Sequence, residues 1–593
     1  MELSMNVKDQ RRLFFDRLAL AYRQGELVPF VGSGMSVNTS PGWRTLVEGL
    51  EAEAGLEPDN SEEGVGNLAR RADRAVQALI YRRRLAAACR AVLNINEDVA
   101  VPPQTKALAK TYWPLVLTTN YDELYLHACC GGDPKVRVLG RSEEDCREVV
   151  RSLDMAVRRQ LWAIQGHLGT SAKGDVSDRE QLARQVVVGH HQYQRVVQED
   201  RLFRRAFAEV FRRRSLLFLG SGLTESYFLD LFGEVLHGFG PGLRPHFALM
   251  RRADAPSADF LSTRLNVVLG TYERYEDLPR ILEELHTWLR WPVLGPKGGA
   301  LFEKSGAPRA HVYRYGKDGR GEVTLEASLL PIPPLPDGES VCVSLGREDR
   351  NRIYRGDLAH KVAAGGGAQL QEEGFGESVG DYVYRLGTHP VFGVAASPRD
   401  GAGHGQDRDL RAIRDATCEL LEVAEKAGSQ TVHLQLLSAG EVSHWPTIFS
   451  LMQMLSGIRA YGQKSRTPVA VFVHIVDEKV LIALAGGQVP VQEILSCDDL
   501  RFWVEVDKLD DAPSQRVLLL RSREASLETV ATVVGIPSDA RWEVRCSPEP
   551  LRGDEERWHS LTAERAATLD AFGVLPGSTL RFRYRAGACE RRP

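Results

Sequence analysis

Four short polar clusters in this sequence each follow an apolar run: Gly32, Ser33, Gly34 and Ser36 behind "ELVPFV", Thr119, Asn120 and Asp122 in "LVLTTNYD", His167 in "IQGHLG", and Gly220, Ser221 and Gly222 in "FLGSGLTESYFLDLF", which also holds Asp230. Runs rich in Val, Phe and Leu predict buried strands, and a glycine pair directly behind one lets the backbone turn tightly and approach a ligand closely. Many nucleotide sites begin that way, with backbone N–H groups around a phosphate. Each cluster also has a plainer reading: the glycines as turns, Asn120 as an Asx turn closing a strand, His167 as a hydrogen-bonded, semi-buried histidine. The chemical reading gains weight from their common placement, because all four leave the carboxyl end of an apolar run.

The elements needed to hold these clusters together are legible as alternation. From about 10 to 290, short apolar runs such as "LVPFVG", "WPLVLTTNYD", "SLLFLG" and "PHFALM" alternate with helical patterns. That alternation predicts a parallel sheet covered by helices on both faces, with ligands bound outside the carboxyl ends of the strands. It defines an N-terminal α/β domain over 1–290. The Gly-, Pro- and Lys-rich stretch that follows predicts a linker over 291–334. A second α/β pattern runs over 335–505, where Leu410, Ile413, Cys418, Leu421 and Ala424 recur near helical spacing and Gly428 supplies the stop. Residues 514–586 are too few for a doubly wound sheet and predict a small α+β unit, a mixed sheet with one helix.

Composition bounds the class. With 593 residues, 43% apolar and 26% charged, the chain reads as several soluble globular domains. Its 75 Lys and Arg against 79 Asp and Glu give a net charge of -4, so no basic excess favours nucleic acid. The nine cysteines include no Cys-x-x-Cys pair, which argues against a zinc ribbon or a disulfide framework. The N-terminus lacks a secretory pattern and no apolar run approaches the ~20 residues of a membrane span, so the expected location is cytoplasmic, with no membrane partner.

On the motifs "PFVGSGMS", "TTNYDELY", "IQGHLG", "HHQYQRVV" and "FLGSGLTESYFLDLF", residues 20–285 resemble the sirtuin-like superfamily, in particular its bacterial branch that cleaves NAD in defence against phage. The resemblance implies a Rossmann-like domain with NAD as substrate. Around the nucleotide it places Gly32, Ser33, Gly34, Ser36, Thr119, Asp122, Gly220, Ser221 and Gly222, and as the catalytic pair Asn120 and His167. Asn120 would hold the ribose hydroxyls or the attacking water, and His167 would take the proton as general base. Gly32, Ser33 and Gly34 would present N–H groups to the diphosphate, helped by the N-terminus of the next helix. Asp122 would either orient the loop or take part. The products would be nicotinamide and ADP-ribose or a cyclised form. The four-cysteine zinc module of protein-deacetylating sirtuins is absent, and Leu168-Gly169 departs from their histidine motif. Deacylation is thereby disfavoured and no metal is expected. The rival from another class is a receptor or scaffold that holds NAD or ADP-ribose without cleaving it. Members of this branch assemble, which implies a homo-oligomer.

The glycines Gly365, Gly366 and Gly367, together with Ser438, Ala439 and Gly440 at a strand end, resemble the two loops of a macro domain, which implies a nucleotide-derived regulatory ligand for 335–505. Three glycines also suit a plain flexible loop. The ending "TLDAFGVLPGSTLRFRYR" is similar to the last strand of ubiquitin-like folds, with Leu580, Phe582 and Tyr584 alternating with Arg581, Arg583 and Arg585. Because only Ala586-Gly587 stands where such modifiers carry a terminal Gly-Gly, docking of a protein partner is expected rather than conjugation.

Overall fold

In a computed structural model, the residues described are 7–37, 39–57, 65–95, 99–129, 136–154, 159–169, 174–176, 179–188, 192, 196, 200–220, 244–255, 258–293, 310–349, 352–354, 357–365, 377–386, 391–398, 412–437, 447–496, 499–508, 515–536, 541–547 and, without 571, 573 and 577, 567–585. The chain divides into two compact units, Met1–Arg290 with Leu484–Gln488, and Trp291–Ala483 with Val489–Pro593.

The first unit is built on an eight-stranded sheet. Its strands are β1 (Leu27–Val31), β2 (Leu115–Thr118), β3 (Val136–Leu139), β4 (Gln160–Ala163), β5 (Gly174–Val176), β6 (Ser215–Leu219), β7 (His246–Arg251) and β8 (Val267–Tyr272), in the order β5-β3-β4-β2-β1-β6-β7-β8. Every pairing is parallel. The chain lays β2 to β5 on one side of β1, with β4 inserted between β2 and β3, and then returns to the other side of β1 with β6, so the strand order reverses at β1. Open sheets hold their ligands at such a point. All of β1 is buried, as expected of a strand covered on both faces. Pro29 fits there because Gly32 N–H points to Leu219 on β6. Alternation then turns Pro29 toward β2, whose register with β1 begins one residue later, at Phe30.

Helix packing follows the sequence spacing. In Arg201–Arg213 the residues Phe203, Ala206, Phe207, Val210 and Phe211 form one buried face, and Asp200 caps the start by accepting the N–H of Phe203. Phe203 packs edge-on against Trp162 of β4. His246, at the start of β7, is fully buried against Phe211, and its Nδ1 accepts the N–H of Leu216. Burial lowers its pKa to about 3, while the unfolded chain would protonate it near 6.5. A depressed histidine contributes stability that is whole above the unfolded value and is lost as the pH falls toward the folded one. Around pH 4.5 the loss from this one group is on the order of 3 kcal/mol. His246→Asn keeps an acceptor for Leu216. It is expected to be less stable than wild type at neutral pH but to lose less on acidification, as read by urea unfolding.

The second unit holds two sheets. The larger contains β9 (Ala310–Tyr315), β10 (Gly321–Glu326), β11 (Glu339–Asp349), β12 (Arg352–Tyr354), β13 (Glu377–Ser378), β14 (Val383–Arg385), β15 (Val391–Pro398), β16 (Thr431–Gln435) and β17 (Ala470–His474). Five of them, β15-β11-β16-β17-β10, run parallel, and the flanking strands pair antiparallel. The helices Ala412–Lys426 and Thr447–Lys464 pack together within this unit. The linker expected over 291–334 gives way from residue 310 to β9 and β10, because its glycines Gly316 and Gly319, both at positive φ, make a hairpin turn.

The smaller sheet contains β18 (Asp499–Lys508), β19 (Gln515–Ser522), β20 (Arg541–Ser547) and β21 (Thr579–Arg585), in the order β19-β18-β21-β20, with the helix Leu527–Val533 capped by Ser526. Residues 499–508 therefore join this sheet rather than the domain expected over 335–505, since β18 pairs along its length with β19 and β21. Leu580 and Phe582 are buried as the alternation requires, and Arg581 is bound by Glu505 of β18 at 2.5 Å. The small sheet is tied to the two helices by Asp570. Its carboxylate meets Arg414 at 2.6 Å, Arg523 at 3.5 Å and Arg459 at 3.7 Å, and Arg523 is only 1% exposed. Asp570→Ala strips the carboxylate from a buried guanidinium and is expected to lower this unit's unfolding free energy by about 3 kcal/mol in urea denaturation.

Candidate active site

The loops after β1 and β6 meet glycine to glycine. Gly34 donates its N–H to the carbonyl of Gly220 at 2.9 Å, and Gly32 donates to Leu219 at 2.9 Å. A methyl group on Gly34 would lie 2.7 Å from Gly220 Cα, and one on Gly220 would lie 2.5 Å from Met35 N. Gly220 also sits at φ +64°. Close approach of two backbones is the task of these glycines. The expected cradle is corrected to that extent, because the N–H groups of Gly32 and Gly34 are already engaged. Nor does an α-helix follow: Ser33–Ser36 is a single 3-10 turn, with Ser33 exposed, and the next α-helix starts at Trp43. The helix Pro103–Ala109 braces that turn, since Gln104 Nε2 and Thr105 Oγ1 both donate to the carbonyl of Met35.

The loop after β2 clasps the same turn. Asn120 Nδ2 donates to Gly32 O at 3.2 Å and to Ser36 Oγ at 3.0 Å, and Ser36 in turn donates to Asp122 Oδ2 at 2.8 Å. The carbonyl of Gly32 can only accept, so the amide orientation is fixed. Both protons of Nδ2 are used, and no bond to Asn120 Oδ1 is formed among the described residues. Asp122 Oδ1 accepts the N–H of Leu124. Burial raises the Asp122 pKa, against the hydrogen bonds from Ser36 and Leu124. Asp122 thus orders the loop. Thr119 does likewise, with its N–H donating to Val31 and closing β2 onto β1.

His167 follows β4 and is tied to the asparagine loop through Leu168, whose N–H donates to Tyr121 O at 2.9 Å. Arg90 holds the same segment by donating to Leu168 O. The imidazole is 2% exposed, and neither Nδ1 nor Nε2 has a hydrogen-bond partner among the described residues. Desolvation holds its pKa well below the ordinary value, opposed by the charge of Glu123 and reinforced by Arg179 and Arg90. At neutral pH it is an uncharged imidazole able to accept a proton. Buried polar atoms without partners are rare in proteins and need an explanation, and a bound ligand is one.

The structure therefore joins Gly32, Ser36, Asn120 and Asp122 in one hydrogen-bonded chain and sets Gly34 against Gly220, with His167 on the adjoining loop. Ser221, Gly222 and Asp230, and all of "HHQYQRVV" except Gln192 and Val196, lie outside the described residues. Gln104, Thr105, Arg90 and Glu123 complete the surroundings. No spacing in the sequence announces them: Gln104 and Thr105 come from the helix Pro103–Ala109, Arg90 from Leu85–Val92, and Glu123 stands beside Asp122. Among the described residues no group of His, Cys, Asp and Glu is placed to hold a metal ion, and no helix is long and apolar enough to cross a membrane.

Residues 114–268 match the SIR2-like domain family, a stretch that includes Asn120, His167 and Gly220. No curated protein matches the chain. The loops after β2, β4 and β6 thus lie in the stretch that matches the SIR2-like domain family, whose members use NAD as substrate.

Proposed function

We propose that this chain cleaves the bond between nicotinamide and ribose in NAD. The observation that carries the reading is the buried His167, both of whose ring nitrogens lack a hydrogen-bond partner among the described residues, on a loop tied to that of Asn120, whose amide protons are both engaged. As the C1′–N bond breaks, its electron pair leaves with the nicotinamide nitrogen and positive charge develops on the sugar carbon. Asn120 Oδ1 accepts a ribose hydroxyl and fixes the sugar. Water or a ribose hydroxyl then adds to C1′, and its proton passes to His167. Which nucleophile adds decides between ADP-ribose and a cyclised product.

In the second unit, the five parallel strands with their helix pair support a macro-like domain carrying a nucleotide-derived regulatory ligand; Gly366, Gly367, Ser438, Ala439 and Gly440 lie outside the described residues. The order β19-β18-β21-β20 around one helix supports a ubiquitin-like docking module. We place the whole as a homo-oligomeric, cytoplasmic effector of anti-phage defence. Nicotinamide release from NAD by the purified full chain, followed by chromatography, tests the activity. NAD that binds and persists unchanged favours the receptor reading.

A further inference from the structure

The side chain nearest to His167 in charge terms is one that the catalytic pair does not include. Glu123 is buried, 4% exposed, with Oε1 4.0 Å from His167 Nε2 and Oε2 3.8 Å from His127 Nε2. Its place is built into the backbone. A methyl group on Gly169 would lie 2.2 Å from Glu123 Oε1, so the second glycine of "IQGHLG" clears the space that the carboxylate occupies. Leu168, between His167 and Gly169, is pinned on both sides by Tyr121 and Arg90. The histidine loop and Glu123 are thereby held face to face.

We propose that Glu123 is the positioning residue of this site, facing His167 Nε2 so that this nitrogen carries the proton and Nδ1 is left to act as the base. The inference rests on the NAD-cleaving reading for its consequence, but not for the pairing itself. At 4.0 Å the pair is too long for a hydrogen bond in the resting protein, and such contacts commonly tighten when substrate binds. When Nδ1 takes the proton from the attacking hydroxyl, the new imidazolium lies against a carboxylate in a water-poor setting. Among the described residues the other titratable groups around the pair are Arg90 and Arg179, which disfavour the imidazolium, Asp122, which interacts with the Glu123 charge, and His127, 3.8 Å from Glu123 Oε2. Glu123 is the group that offsets the two arginines.

The test uses the full chain with Glu123→Gln, which keeps size and removes charge. Two readouts are taken: the pH profile of kcat/KM for NAD cleavage, and the tautomer and titration of His167 by NMR of histidine-labelled protein without substrate. With the carboxylate gone, His167 should protonate less readily. Its titration and the acidic limb should then move to lower pH by about half a unit or more, with kcat near neutrality down roughly 10-fold. Gly169→Ala, which displaces the carboxylate without altering its charge, should move the titration in the same direction and covers the case that the glutamine variant fails to fold. An Nδ1–H tautomer in the wild type, or a titration unmoved in both variants, overturns the proposal. A wild type that shows the Nε2–H tautomer and the shift but cleaves no NAD leaves the pairing standing and sinks the activity.

Discussion

His167→Ala should reduce nicotinamide release from NAD by at least ~100-fold, the lower end for losing general-base help, while changing the melting temperature little. The second half of that expectation comes from the structure. His167 is buried with two ring nitrogens that make no hydrogen bond among the described residues, and an unsatisfied buried polar group costs stability, on the order of 1–3 kcal/mol. Removing it relieves that cost and opens a cavity, and the two effects oppose each other. A residue kept for folding would behave the other way, losing stability along with activity. Asn120→Ala should match the loss in rate but also lose about 1 kcal/mol of stability, because it breaks the clasp between Gly32 and Ser36. Paired melting and rate measurements on the two variants separate these outcomes. A well-folded His167→Ala protein with an intact rate removes the base from the mechanism.

Gly220→Ala should be strongly damaging for so small a change. The added methyl meets Met35 N at 2.5 Å and the backbone stands at φ +64°, so steric overlap and conformational strain combine. Together they are expected to cost at least ~3 kcal/mol. Because the clash is between backbones, no rotamer change relieves it. The loops after β1 and β6 would part, and the turn carrying Ser36 would lose its register with Asn120. Gly34→Ala meets Gly220 Cα at 2.7 Å and should act similarly, without the strain of a positive φ. Urea unfolding and NAD binding by calorimetry are the checks. Wild-type stability in Gly220→Ala contradicts the packing described.

The strands of the first unit were legible because each is a run of apolar residues ending in a polar turn, and local pattern decides that much. Their order was not. That Gly34 touches Gly220 depends on β6 returning to the other side of β1, a long-range pairing that no window of sequence contains. The same limit explains the glycine loop. Its composition suggested N–H groups free for a phosphate, whereas the pairing with β6 engages those of Gly32 and Gly34. Glu123 stands beside Asp122 in the sequence and carries no signal of its own. Only the fold brings Gly169 under it. In the second unit, Gly and Lys around 316–321 read as linker because hairpin turns and linkers use the same residues. The start of the small sheet at Asp499 was hidden because β18 looks like any apolar strand until its partners, β19 and β21, are known.

The most direct test of the account is a single comparison: purified full-length wild type, His167→Ala and Asn120→Ala, each incubated with NAD alone and with nicotinamide and residual NAD quantified together. The account predicts nicotinamide formed mole for mole with NAD lost in the wild type once the enzyme is active, and at least ~100-fold less in either variant. NAD that stays intact across concentrations, with candidate nucleotide activators present and binding shown by calorimetry, contradicts it and makes the SIR2-like domain a receptor.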